Sequence, residues 1–147
     1  MTRERQARLL IAKGYSCEQA VFGAFADLLG CSVVGAALLA PLRKERGRTC
    51  GAYRAGVLLI STLTEPKENN RLKKRGQKIK EKERLRKDQQ RLKAAQMEDW
   101  FRALFIGEFG TLDCKAIQSS REKGWAGMDS VVGTTVLLLE RVLKERP

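Results

Sequence analysis

The sequence of 147 residues contains no histidine. That absence removes His-based acid–base pairs, Ser–His and Cys–His nucleophiles, His-ligated metals and His-ligated haem. Four cysteines are present, Cys17, Cys31, Cys50 and Cys114, but no CxxC. A thioredoxin-type motif, a zinc ribbon and covalent haem attachment therefore lack their signatures. Aromatic residues make up 6% of the chain and proline occurs three times. The longest uncharged run, Leu28 to Leu42, has fifteen residues and is interrupted by Gly30, Gly35 and Pro41. It is too short to span a bilayer and reads as core helix. The charged N-terminus, Met1-Thr2-Arg3-Glu4-Arg5, leads to no long apolar stretch, so no secretory signal is expected. A cytoplasmic, reducing location follows as the expectation, with the cysteines as thiols rather than a disulfide framework.

Apolar residues reach 43%, enough for a sizeable core, and the length suits one domain spanning 1–147. The net charge is +12, but it is concentrated. Lys67 to Lys93 holds thirteen Lys/Arg against four Asp/Glu, a net of +9. Within it Leu72, Ile79, Leu85 and Leu92 form one thin apolar stripe on a highly charged helix. We therefore expect a basic helical arm over 66–93. Its bland reading is a solvated helix face. The sharper one is a surface for nucleic acid or an acidic partner, with Lys73, Lys74, Arg75 and Lys78 as candidate phosphate contacts. No aromatic residue in the segment is available for base stacking, so any such binding should be weak and indifferent to sequence.

Helical spacing recurs elsewhere. Thr2 to Lys13 reads as a first helix that stops at Gly14. Ser16 and Gln19 form a capping box, which starts a second helix at Cys17 and carries it to Gly30. Ser32 caps a short apolar helix, and Thr49 caps one from Cys50 to about Leu63. Met97 to Ile106 presents Trp100, Phe101, Leu104 and Phe105 on one face and ends at Gly107 and Gly110. Thr111 caps a short helix through Cys114. The last helix, from about Asp129 to Glu145, carries two adjacent apolar stripes and hence a wide buried face. No segment alternates with period 2 for long. The expected fold class is all-α, a helical bundle with one extended basic helix.

Three of the four cysteines fall in the first turn of an expected helix: Cys17 after Ser16, Cys50 after Thr49, Cys114 after Thr111. Unpaired N–H groups and the positive end of the helix dipole favour a thiolate there. Arg46 and Arg48 add positive charge near Cys50, which is the thiol expected to react first. Glu18, beside Cys17, reads as a favourable first-turn charge. Buried cysteine can equally act as a small hydrophobe, and that reading stays open at each position.

The string Gly14-Tyr15-Ser16-Cys17-Glu18-Gln19-Ala20-Val21, then Thr49-Cys50-Gly51-Ala52 with Gly56, then Phe109-Gly110-Thr111-Leu112-Asp113-Cys114 resembles the C-GCAxxG-C-C family of redox-active proteins, block by block and in order. The resemblance implies a helical, cysteine-dependent redox protein, with thiol–disulfide exchange or an iron–sulfur cluster as the chemistry and Cys17, Cys50 and Cys114 as catalytic or cluster-holding residues. Whether a cofactor is bound stays open, and no haem is expected. The sequence departs from the pattern in three places. The family's last cysteine would fall near Gly127-Met128-Asp129-Ser130; Arg43-Lys44-Glu45-Arg46 replaces a Gly-rich turn; and the glycine of CGAxxG falls on Ala55, with Gly56 one place later. The expected partners are a redox partner protein of unknown identity and a second copy of the chain, without a membrane. The competing reading is a non-enzymatic helical interaction protein that uses the basic arm.

Overall fold

The computed structural model of the chain describes residues 1–40, 49–64, 77–119 and 127–144. Among them every regular element is a helix, and the sole strand-like feature is an isolated antiparallel bridge between Thr49 and Asp113. The all-α expectation holds. None of these helices is long and apolar enough to cross a membrane.

The chain opens with α1 (Arg3–Ala12), capped by the Thr2 side chain, which accepts from the Arg5 N–H. Gly14 (φ 94°) then turns the backbone through a conformation that side-chain-bearing residues avoid. α2 (Cys17–Ala24) starts at Ser16 with both halves of the capping box in place. Ser16 Oγ accepts from Gln19 N, and Gln19 Oε1 accepts from Ser16 N. The expected single helix to Gly30 is instead broken at Phe25, whose φ of −107° and ψ of 22° leave the helical region. Phe25 is fully buried and its N–H bonds back to Phe22, three residues away, which tightens the last turn of α2. α3 (Ala26–Leu29) follows and ends on Gly30. Ser32 caps α4 (Val33–Leu39).

α5 (Gly51–Thr64) and α6 (Gln77–Phe109) pack against each other. From Gln77 on, the basic segment and the aromatic helix expected after it are one helix of 33 residues, and Gly107 lies within it; residues 66–76 of the expected arm lie outside the described residues. Gly107 was expected to stop the helix, but it is interior to α6, and the chain instead turns at Gly110 (φ 77°), after buried Phe109. α7 (Cys114–Ser119) and α8 (Met128–Lys144) complete the described chain.

One apolar cluster draws on α1, α2, α5, α6, α7 and α8. α8 supplies the wide face read from its sequence: Val131, Val132, Val136, Leu139 and Val142 are all buried. Thr135 is buried among them and satisfies its hydroxyl by donating to the Val131 carbonyl at 2.8 Å. An aromatic column binds α5 to α6. Tyr53 stacks on Phe101 at 5.4 Å and meets Phe105 at 5.3 Å, while Phe105 meets Phe109 at 4.5 Å. Gly56 allows this approach, since a Cβ there would fall 2.6 Å from the Phe101 ring. The column fixes where α6 ends relative to where α5 begins, and both cysteine-bearing turns hang from those two points.

Candidate functional site

Past Gly110 the chain runs antiparallel to the entry of α5. Thr49 pairs with Asp113, and the Cys50 N–H donates to the Leu112 carbonyl at 2.7 Å. Cys50 lies directly opposite Leu112, so Cys114, two residues on, is its diagonal neighbour on the same face. Regular pairing separates such Cα atoms by about 7–8 Å. The two cysteines, distant in sequence, are therefore brought together by backbone hydrogen bonding.

The local caps differ from those read in the sequence. α5 begins at Gly51, which puts Cys50 rather than Thr49 directly ahead of it, while Thr49 pairs with Asp113. Cys50 stands immediately ahead of α5, and its sulfur accepts from the backbone N–H groups of Tyr53 and Ala52. Asp113, rather than Thr111, caps α7: its Oδ1 accepts from Lys115 N at 3.0 Å. Thr111 Oγ1 holds the preceding turn by accepting from Asp113 N at 3.1 Å. Cys114 thus takes the first position of α7.

Cys50 is 1% exposed. Burial pushes its thiol above the usual range, the two backbone N–H groups pull it down, and the nearby Cys114 and Glu18 push it up again. The net direction is upward, so the expectation that Cys50 is the readiest thiolate is corrected. A helix start does favour a thiolate, but here desolvation outweighs it. Arg46 and Arg48, invoked for the same expectation, lie outside the described residues.

Glu18 is the residue that sequence reasoning misjudged. It is 3% exposed, and among the described residues its Oε1 is buried without a hydrogen-bond partner. The carboxylate rests on Gly51, immediately after Cys50. A Cβ built on Gly51 would overlap the carboxylate, with Glu18 Cδ at 2.6 Å and Oε2 at 3.0 Å. Burying a carboxylate costs free energy unless its oxygens are satisfied, which makes this oxygen the feature of the turn that packing alone does not account for. The signal in the sequence was the pairing of Glu18 with Cys17 in one turn and of glycine with Cys50 in the other.

Cys17, half-buried, is the first residue of α2 and adjoins Glu18. Cys31 is exposed and lies by the first turn of α4, with its Sγ 3.9 Å from where a Gly35 Cβ would stand. None of the four cysteines is joined in a disulfide. Among the described residues, no three or more Cys, Asp or Glu side chains are grouped so as to hold a metal ion.

Of the basic-arm candidates, Lys73, Lys74 and Arg75 lie outside the described residues, and Lys78 is in the first turn of α6. Further along, Lys82, Arg84, Arg86, Arg91 and Lys93 are exposed.

A family model described as "Putative redox-active protein (C_GCAxxG_C_C)" matches residues 15–140. No curated protein and no solved structure is a significant match to the chain.

Proposed function

Because the chain belongs to the C_GCAxxG_C_C family of redox-active proteins, we propose that it exchanges thiols and disulfides through Cys50 and Cys114, with Glu18 as the proton acceptor for Cys50. The observation that carries this reading is the diagonal pairing of Cys50 with Cys114 beside a buried carboxylate oxygen that has no hydrogen-bond partner among the described residues.

The electrons go to a disulfide of a partner. Cys114 is buried at rest, so its turn must open for the sulfur to reach that disulfide; its thiolate, the proton given up to solvent, then attacks one sulfur, forms a mixed disulfide and releases the first partner thiolate. Cys50 then gives its proton to Glu18, attacks the Cys114 sulfur and expels the second partner thiolate. Glu18 passes that proton to the departing second thiolate, and the first takes up from solvent the proton that Cys114 gave up, so two thiols of this chain become one disulfide while two electrons and two protons reach the partner. Disulfide geometry asks for Cα atoms within roughly 7 Å, so closure needs a small approach of the two turns. The bare hydrogen atom in Gly51's Cβ position leaves Glu18 its place against the backbone at that moment. Cys17, in the same turn as Glu18, is the third thiol available to exchange.

The test is a thiol count after equilibration in glutathione buffers of graded ratio. The intact chain should lose two thiols together with a single midpoint. Cys50→Ser and Cys114→Ser should each abolish that transition, while Cys31→Ser should leave it unchanged. A transition that survives Cys114→Ser would contradict the assignment.

A second reading rests on the exposed Lys82, Arg84, Arg86, Arg91 and Lys93 of α6. These side chains would bind polyanions without sequence preference, and the binding would fall steeply with salt as counterions are released. Retention on a polyanion column that is lost on replacing the five with Gln, with thiol exchange intact, would support it.

A further inference from the structure

The N-terminal half of α6 leaves two large apolar side chains in water. Leu85 is 64% exposed and Leu92 is 62% exposed. They lie one heptad apart and so on one face of the helix. At ~100° per residue, Phe101 lies on the opposite face from Leu92. Met97, Phe101 and Phe105 are fully buried on that opposite side. The fold therefore uses one face of α6 for its own core and leaves the Leu85–Leu92 face outward.

The residues around this stripe are sorted by sign. With Leu85 and Leu92 at d, Lys82, Gln89 and Gln96 take a, Glu81 and Asp88 take g, and Arg86 and Lys93 take e. One flank is acidic and the other basic. In a parallel pair of helices, each g residue meets the e residue five places later on its partner. Glu81 would meet Arg86 and Asp88 would meet Lys93, each twice by symmetry. An antiparallel pair would set the acidic flanks against each other and the basic flanks likewise. The intrachain contact of Asp88 with Arg91, 3.9 Å and exposed on both sides, is too loose to compete.

We infer that α6 pairs with α6 of a second copy of this chain, in parallel and in register around Leu85 and Leu92, as a two-fold dimer. The polar residues at a and the two-heptad length make the pairing weak and reversible, below the size of a permanent interface. Both bodies lie on the far faces of the paired helices, so neither core is disturbed. The inference is independent of the thiol chemistry.

Sedimentation of the full chain across a concentration series tests it. The average mass should climb from 16.5 kDa toward twice that value, and high salt should weaken the association. Leu85→Ser with Leu92→Ser should raise the dissociation constant at least tenfold. Arg86→Glu with Lys93→Glu, and separately Glu81→Lys with Asp88→Lys, should each give a monomer, and an equimolar mixture of the two should associate again. In a Cys31→Ser background, Gln96→Cys should form an interchain disulfide on mild oxidation. A chain that stays monomeric throughout, charge variants that associate as the parent does, or a dimer that Gln96→Cys does not link would each overturn the proposal.

Discussion

At the scale of single residues, the site turns on Glu18 and the hydrogen on Gly51. Glu18 pushes the Cys50 thiol up, in the same direction as burial. Removing that charge has a definite sign: Glu18→Gln should move the pH profile of Cys50 alkylation toward lower pH. An unmoved profile would place the carboxylate too far away to act. In the parent, alkylation followed by peptide mapping should find exposed Cys31 modified first and Cys50 last, with Cys50 catching up only in alkaline solution or on unfolding. Gly51→Ala should destabilise the fold by about 1–3 kcal/mol, as overpacking does. Glu18→Ala in the same chain should recover part of that loss, because the two groups contend for one space.

At the scale of elements, starts with side-chain caps were legible in the sequence and those made by long-range contacts were not. Ser16 and Ser32 each accept a backbone N–H as their spacing implied, and Thr2, read as the first residue of its helix, does so too. Ser16→Ala should therefore cost about 1 kcal/mol in chemical denaturation, a typical value for a lost cap. Thr49 looked equally suited to capping, but α5 starts one residue later than its cap position implied, and the bridge that pairs this turn with Asp113 spans so long a separation that it leaves no periodic trace. Glu18 escaped notice for a related reason. An acidic residue in a first turn is the common surface pattern, and only the arrival of α5 buries this one. The continuity of α6 across Gly107 was likewise hidden, because a glycine that costs a helix about 1 kcal/mol is tolerated when Phe101, Phe105 and Phe109 are held by the core. The aromatic column carries the consequence. Phe105→Ala should cost about 3–5 kcal/mol and loosen the link between the two cysteine turns together with the core.

At the scale of the whole molecule, the composition and the order of the motifs carried the class and the family. A chain without histidine directed attention to its four cysteines, and the family match over residues 15–140 gives the redox-active class. What composition could not reveal was which thiols meet. First-turn position singled out Cys17, Cys50 and Cys114 alike, whereas the packing of α5 on α6 brings Cys50 to Cys114 and joins Glu18 to them through α2. The central claim is therefore a specific bond, and it is open to one direct measurement. The oxidised chain should be trapped with an alkylating agent, digested without reduction and mapped by mass spectrometry. A linked peptide pair joining Cys50 to Cys114, with Cys31 alkylated, is the expected result. A linkage through Cys31, or full alkylation of Cys50 and Cys114 under conditions that oxidise ordinary dithiols, would contradict the account.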